Sequence, residues 1–371
     1  MRSTLITNSL VNGTRNAACM SKTCMVTGGA GFIGCALSTK LADHFDRVVV
    51  IDSLHPQIHA ERKRPAELDP RVELMVADVT EASTWAQALE TTRPEVVVHL
   101  AAETGTGQSL TEASRHAIAN VLGTTRMLDA FATVSHVPER FVLASSRAVY
   151  GEGAWRSRNP GEVTYPGQRS KQQLERAEWD FPGLEPLPMD AEKTIPNPTS
   201  IYGATKLTQE QILRAWALSF GTTVNVLRLQ NVYGPGQSLT NSYTGIVSLF
   251  IRMAKEGKSI PIYEDGDIGR DFVFIDDVAS AIDKATRTNL SQSFAYDVGT
   301  GYKTTVLDLA RIIAKRYGAP EPHVNGMFRN GDVRCAVANI DRTVRELEWR
   351  PLKSVGEGID QLSEWIDTQL G

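Results

Sequence analysis

Short apolar runs recur through the first half of the chain. Cys24–Val26, Val48–Ile51, Val72–Val76, Val96–Leu100 and Phe141–Leu143 are rich in Val, Ile and Leu. A parallel sheet covered on both faces requires near-continuous apolar runs of this length, so each predicts a buried strand. Most are followed by a stretch with helical spacing, and the alternation predicts a doubly wound α/β domain. Ile201–Ser219 keeps apolar residues on one side, with Ser200 as N-cap and Gly221 just past the end. Val224–Leu229 predicts another strand.

After Tyr233 the pattern changes. Gly234-Pro235-Gly236 marks a turn, and Ile246–Glu256, Val306–Tyr317 and Ile359–Leu370 predict helices. Ile260–Tyr263 and Phe272–Ile275 predict short strands. The fold class expected is therefore α/β: a Rossmann doubly wound parallel sheet, mainly over 22–232, with a smaller α/β substrate-binding lobe, mainly over 233–371. The chain is expected to cross between lobes more than once. Gly151 to Pro198 shows no regular period apart from a charged patch, Lys171–Glu178, with helical character. A loop this long inside a compact domain is commonly functional, so 152–198 is read as an insert.

Composition narrows the classes. The 371 residues are 42% hydrophobic, enough for two lobes. Net charge is -4 and no long basic stretch occurs, which argues against a nucleic-acid partner. An anionic ligand must then be held by a few placed cations. Cys19, Cys24, Cys35 and Cys335 form no C-x-x-C pair, so neither a metal site nor a disulfide framework is expected. Cys24 and Cys35 fall in apolar segments and are expected in the core. This usage fits a reducing cytoplasm. No run of about 18 apolar residues exists, so no membrane span is predicted. Residues 1–21 are polar, lack a signal-peptide core, and are expected to form a disordered leader.

Thr27-Gly28-Gly29-Ala30-Gly31-Phe32-Ile33-Gly34 follows the first strand and opens a helix. Gly28 and Gly31 let the backbone turn and approach a pyrophosphate, Gly34 allows close helix–strand packing, and the helix N-terminus offers free N–H groups. Asp52 ends the second strand, where a carboxylate accepts from ribose hydroxyls and repels a 2′-phosphate. The combination predicts NAD. Asp78-Val79 ends the third strand, where it would meet an adenine edge or simply cap a turn.

Tyr202 and Lys206 stand four residues apart on one helix face. Alone, such a pair is a solvated surface. After a dinucleotide loop, with Ser145-Ser146 closing the fifth strand, it becomes a proton-transfer group. Tyr202 is the expected base, Lys206 a cation that lowers its pKa and donates to the nicotinamide ribose, and Ser146 a relay.

These motifs resemble the extended short-chain dehydrogenase/reductase enzymes, in particular the UDP-glucose 4-epimerase-like, NAD-dependent epimerase/dehydratase group. The likeness spans Lys22 to Pro351. It also rests on His99-Leu100-Ala101-Ala102, Val149-Tyr150-Gly151, Arg228, Asn231-Val232-Tyr233-Gly234-Pro235-Gly236, Arg270-Asp271-Phe272 and Leu347-Glu348-Trp349-Arg350-Pro351. The resemblance implies a catalytic set of Ser146, Tyr202 and Lys206. It implies cofactor contacts at Gly28, Gly31, Phe32, Ile33, Gly34, Asp52, Asp78, Val79, Ala101, Ala102, Asn120, Tyr202 and Lys206. It implies a nucleoside-diphosphate sugar held by Asn231, Tyr263, Arg270, and Arg329 with Asp332. From the residues alone, Arg270 reads rather as a surface partner of Asp271 or Asp276. Thr104, Thr106 and Gln108 either contact the sugar or line a turn.

Arg147 and Ala148 stand where the related 4,6-dehydratases carry an acidic pair, which argues against dehydration. Ala102–Ser109 and Tyr233–Ser238 resemble a subgroup that includes dTDP-L-rhamnose 4-epimerases, which make dTDP-6-deoxy-L-talose. Several such relatives carry cysteines in the insert, and this chain has none there. The insert is expected to wall the sugar pocket. By the same resemblance, helices near Thr111–Ala132 and Ile201–Ser219 imply a homodimer. Open alternatives are another epimerase, a reductase or decarboxylase of the same group, and a non-catalytic NAD-binding protein.

Overall fold

The computed structural model describes residues 22–59, 61–158, 161–239, 245–288 and 294–370. The expected leader 1–21, with Cys19, lies outside them. Seven parallel strands form the central sheet: β1 Thr23–Thr27, β2 Arg47–Asp52, β3 Glu73–Val76, β4 Val96–His99, β5 Arg140–Ser146, β6 Thr223–Leu229 and β7 Phe294–Val298. Their order is β7-β6-β5-β4-β1-β2-β3. The order reverses between β1 and β4, and ligands of open α/β sheets bind at such a reversal, beyond the strands' carboxyl ends.

Both sheet faces are covered because successive side chains point opposite ways. Cys24, Val26, Val96, Val98 and Val142 face α1 (Phe32–His44) and a helix over Ile275–Arg287. Met25, Val97, Phe141 and Leu143 face the helices Ala82–Thr91 and Gly123–Thr133, together with Leu213 and Ala217 of Ile201–Phe220. Cys24 is fully buried and Cys35 only partly. The expectation of a buried strand fails at β3, whose Val76 is 46% exposed. That strand lies at the sheet edge with a single neighbour.

Ile201–Phe220, here α2, has the ends its sequence announces. Ser200 Oγ accepts the Gly203 N–H at 3.0 Å, and Gly221 adopts a left-handed φ of 71°. The second lobe packs helices Ile246–Lys255, Val306–Tyr317 and Val355–Leu370 around Phe250, Phe272, Phe274, Leu309 and Leu362. The last helix starts a turn earlier than expected. Ser354 and Glu357 form a capping box there, and Gly356 and Gly358 had hidden the period. Between 275 and 298 the chain returns to the central sheet with a helix and β7. No helix among the described residues is long and apolar enough to cross a membrane.

The insert is more regular than expected. Trp155–Ser157 pairs antiparallel with both Val163–Thr164 and Leu184–Pro186, and Lys171–Glu175 forms one helical turn. Strands of two or three residues are too short to show a period in sequence.

Candidate active site

A cavity of about 1740 Å³ runs along the carboxyl ends of β1, β2, β4 and β5 and beneath the second lobe. This exceeds the usual span of about 300–1,000 Å³ for one small ligand, and it has room for two.

One end is built for a dinucleotide. Gly28 has φ 68°, and a Cβ there would lie 2.6 Å from the Ala101 backbone nitrogen, so the loop tolerates only glycine. Ala30, Gly31, Phe32 and Ile33 line the cavity, and no side chain caps α1, which leaves its first amides for an anion. Asp52 is mostly buried against the same space. Its carboxylate accepts the Ala30 N–H at 3.0 Å and the Leu54 N–H at 2.8 Å, so the loop and the acid form one unit. Asp78 both caps and lines: Oδ1 accepts from Thr80 N and Oγ1 at 2.8 Å, and Asp78, Val79, Ala101 and Ala102 border the cavity. These residues fit the adenosine and pyrophosphate of NAD. Gly34 sits behind the loop against Gly29.

Asn120 does not line the cavity. It is fully buried, accepts from Glu103 N at 2.7 Å, and donates to Glu103 O and to Thr205 Oγ1. It therefore ties the loop after β4 to α2, which corrects its reading as a cofactor contact.

The expected proton-transfer group lies in the middle. Ser146 ends β5, and its Oγ accepts the Ala148 N–H at 3.1 Å, capping a 3-10 turn over Arg147–Tyr150. That turn lies against the start of α2. A Cβ on Gly203 would stand 2.4 Å from the Ala148 carbonyl oxygen, so only glycine lets Tyr202 reach Ser146. The Tyr202 phenol lies on the Ser146 side of the cavity and packs at a steep angle against buried His116, with centroids 6.5 Å apart. Burial pushes the Tyr202 phenol up, while Ser146 and the Arg147 charge pull it back. Lys206 is buried one turn on, outside the cavity lining, and burial pulls its ammonium down to about 7 against the attraction of Glu210. Arg147 is a cation whose charge draws the phenol down, a part the sequence had given to Lys206.

A buried polar network supports this group. Ser145 donates to Glu210 at 2.5 Å, Arg228 pairs with Glu210 at 2.7 Å and lies over the Tyr150 ring, and Tyr150 donates to Asp297 at 2.8 Å. His99 bonds Thr27 at 2.6 Å and Thr124 at 2.9 Å. Burial holds its pKa down at about 3, so it stays neutral.

The other end of the cavity gathers cations. Arg270 is buried, and its one hydrogen bond among the described residues goes to the Gly269 carbonyl. Asp271 is spent instead on Thr300, Gly301 and Ala338, so the surface-pair reading of Arg270 is corrected. Arg329 lies over the Tyr263 ring, 5.2 Å from its centroid. Thr104, Thr106, Asn231 and Asp332 share the wall, whereas Gln108 turns away to Gln57 and Glu112. Arg147 also faces this space, and its Nε donates to Asn231 Oδ1 at 3.0 Å. An arginine can only donate, so the Asn231 NH₂ is turned toward other acceptors. Desolvation pulls Arg147 down to about 10 and lowers Arg270, while Asp332 and Glu152 draw both back. Such a site takes an anion such as a diphosphate.

The sequence noted Arg147 only as a missing acid. Its place directly after Ser146, at a strand's carboxyl end, was the available signal. None of the insert's described residues lines the cavity, contrary to expectation.

The profile of the NAD dependent epimerase/dehydratase family matches residues 24–299. A dTDP-L-rhamnose 4-epimerase of Burkholderia thailandensis is 57% identical over 349 residues, 94% of this chain and 96% of that protein. A UDP-glucose 4-epimerase of Mycolicibacterium smegmatis is 30% identical, covering 92% of this chain and 97% of that protein. The structure of Thermotoga maritima UDP-glucose 4-epimerase with UDP-glucose superposes with TM-score 0.78 at 28% identity, covering 94% and 100% of the two chains. Thermus thermophilus UDP-glucose 4-epimerase in complex with NAD gives 0.72 at 26%, covering 93% and 99%. With its glycine loop, Asp52 and Tyr202 on one cavity, the chain belongs to the NAD dependent epimerase/dehydratase family.

Proposed function

We propose that the protein is a nucleotide-sugar 4-epimerase that inverts C4 through a transient 4-keto sugar, converting dTDP-L-rhamnose and dTDP-6-deoxy-L-talose. The observation that carries this reading is one cavity with the Ser146–Tyr202 pair at its centre and Arg147, Arg270 and Arg329 beyond it. The relative 57% identical to this chain supports the sugar.

Gly28, Gly31, Phe32, Ile33 and Asp52 would hold NAD, and Lys206 backs Tyr202 one helical turn away. When bound, NAD supplies reversible hydride acceptance. Tyr202 takes the proton of the 4-hydroxyl, with Ser146 bonded to the same oxygen. Arg147 stabilises the phenolate that must exist first. Asn231, Arg270 and Arg329 hold the diphosphate while the flat keto sugar turns over and presents its other face. Tyr202 then returns the proton to O4. Arg147 and Ala148 leave no acid beside Ser146 to assist loss of water. The protein works in the cytoplasm as a homodimer, and exposed Ile118, Leu122 and Leu218 on the two expected helices suit such a contact.

The test is incubation with a panel of UDP-, GDP- and dTDP-sugars, with NMR of the products. A C4 epimer from dTDP-L-rhamnose is expected. Net oxidation, decarboxylation or no reaction on any member would overturn the reading.

A further inference from the structure

The insert meets the second lobe at several points, among them Arg334 with Asp180, Met189 beside Ala338, and a buried arginine, Arg169. Arg169 and Glu264 are each 1% exposed and form a bidentate pair at 2.8 and 2.9 Å. Arg169 also donates to the Trp179 carbonyl at 3.0 Å, within the insert, and to the Asp332 carbonyl at 2.9 Å. Glu264 in turn donates its backbone N–H to the Met327 carbonyl at 2.7 Å. Arg329 therefore stands on a segment pinned at both ends, at Met327 through Glu264 and at Asp332 directly. Glu264 has φ 53°, a left-handed conformation that carries strain for a side-chain residue and needs outside support. Its neighbour Tyr263 is the ring beneath Arg329. On the insert side, Glu152 lies 3.4 Å from Arg169 Nε and accepts the Arg334 N–H at 2.9 Å.

We propose that the insert 152–198 is a clamp on the substrate segment 327–332, with Arg169 as the positioning residue that sets where Arg329 stands. The inference rests on the reading in which Arg329 holds the substrate diphosphate. A bidentate guanidinium–carboxylate pair fixes direction as well as distance, and a third N–H on a backbone carbonyl adds a second anchor. Lysine offers one point charge and reproduces neither the fork nor the second anchor. Removing Arg169 alone leaves Glu264 charged and buried, so a paired replacement is needed beside it.

The test uses NAD-loaded wild type, Arg169→Lys, Arg169→Met/Glu264→Gln and Arg329→Met. Calorimetric titration with dTDP and with UDP reads the diphosphate site without turnover. Kinetics separate KM from kcat, and NAD affinity reports the remote end of the cavity. Both Arg169 variants are expected to weaken dTDP binding and raise KM about tenfold, with kcat and NAD affinity little changed. Adding Arg169→Lys to Arg329→Met is expected to weaken dTDP little further, because both act through one group. Unchanged dTDP affinity and KM, a fall in kcat alone, or equal losses for dTDP and NAD would overturn the clamp. So would full additivity with Arg329→Met, or a wild type that binds neither dTDP nor UDP. If the wild type binds dTDP yet converts no nucleotide sugar, the epimerase reading fails while the dTDP arm still decides the clamp.

Discussion

Burial sets the chemistry at single residues. Tyr202 is desolvated and so resists ionisation, and its neighbours must restore the base. Tyr202→Phe is expected to lower kcat by about 10²–10⁴-fold, the usual worth of general acid–base catalysis, with dTDP affinity retained. Arg147→Met removes the cation drawing on the phenol. The rising limb of kcat/KM against pH should then move to higher pH, while Arg147→Lys moves it less. The other groups facing this pair are His116 and Lys206 beside Tyr202, and Arg270, Asp332 and Glu152 around Arg147. Lys206 carries a stability signature. Its folded pKa of about 7 lies below the ordinary 10.5, so the stability tied to its neutral form is complete above 10.5 and is lost as pH falls through 7. Lys206→Met should therefore raise Tm more at pH 6 than near pH 10, while activity drops. Thermal unfolding at the two pH values measures this. The glycine loop, Asp52, Ser146 and Tyr202 were legible because each sits in a local motif whose spacing encodes its role. Asn120 and Arg169 were not, since their roles lie in partners such as Thr205 and Glu264, far off in sequence.

Among the elements, α2 links sequence to catalysis most tightly. Its Ser200 cap and Gly221 end were readable, and the cap contributes about 1 kcal/mol. Less readable was why Gly203 follows Tyr202. Gly203→Ala should push α2 off the Ala148 carbonyl, destabilise the fold by about 1–3 kcal/mol, and reduce kcat at least about tenfold. Denaturant melts together with steady-state kinetics check both, and unchanged kcat would show that the close approach does not matter. Elements failed to show in sequence where they were short or interrupted. The insert's strands have two or three residues, and the last helix begins with two glycines in its first turn.

At the scale of the whole molecule, net charge -4 surrounds a cavity whose far end is cationic. The seven-stranded sheet supplies the cofactor end and Arg147, the second lobe supplies Arg270 and Arg329, and the return of the chain to β7 ties the two together. The doubly wound class was visible because parallel strands must be apolar throughout, whereas the joining of lobes depends on which segments meet in space. The proposed inversion requires hydrogen to leave and return to C4 of one sugar within one cavity. The most direct measurement is incubation with dTDP-L-rhamnose deuterated at C4, following the label by NMR and reduced cofactor in the protein-free filtrate. A C4 epimer that keeps its deuterium is expected, with no reduced cofactor released. Loss of the label to water, or reduced cofactor accumulating in step with product, would contradict it.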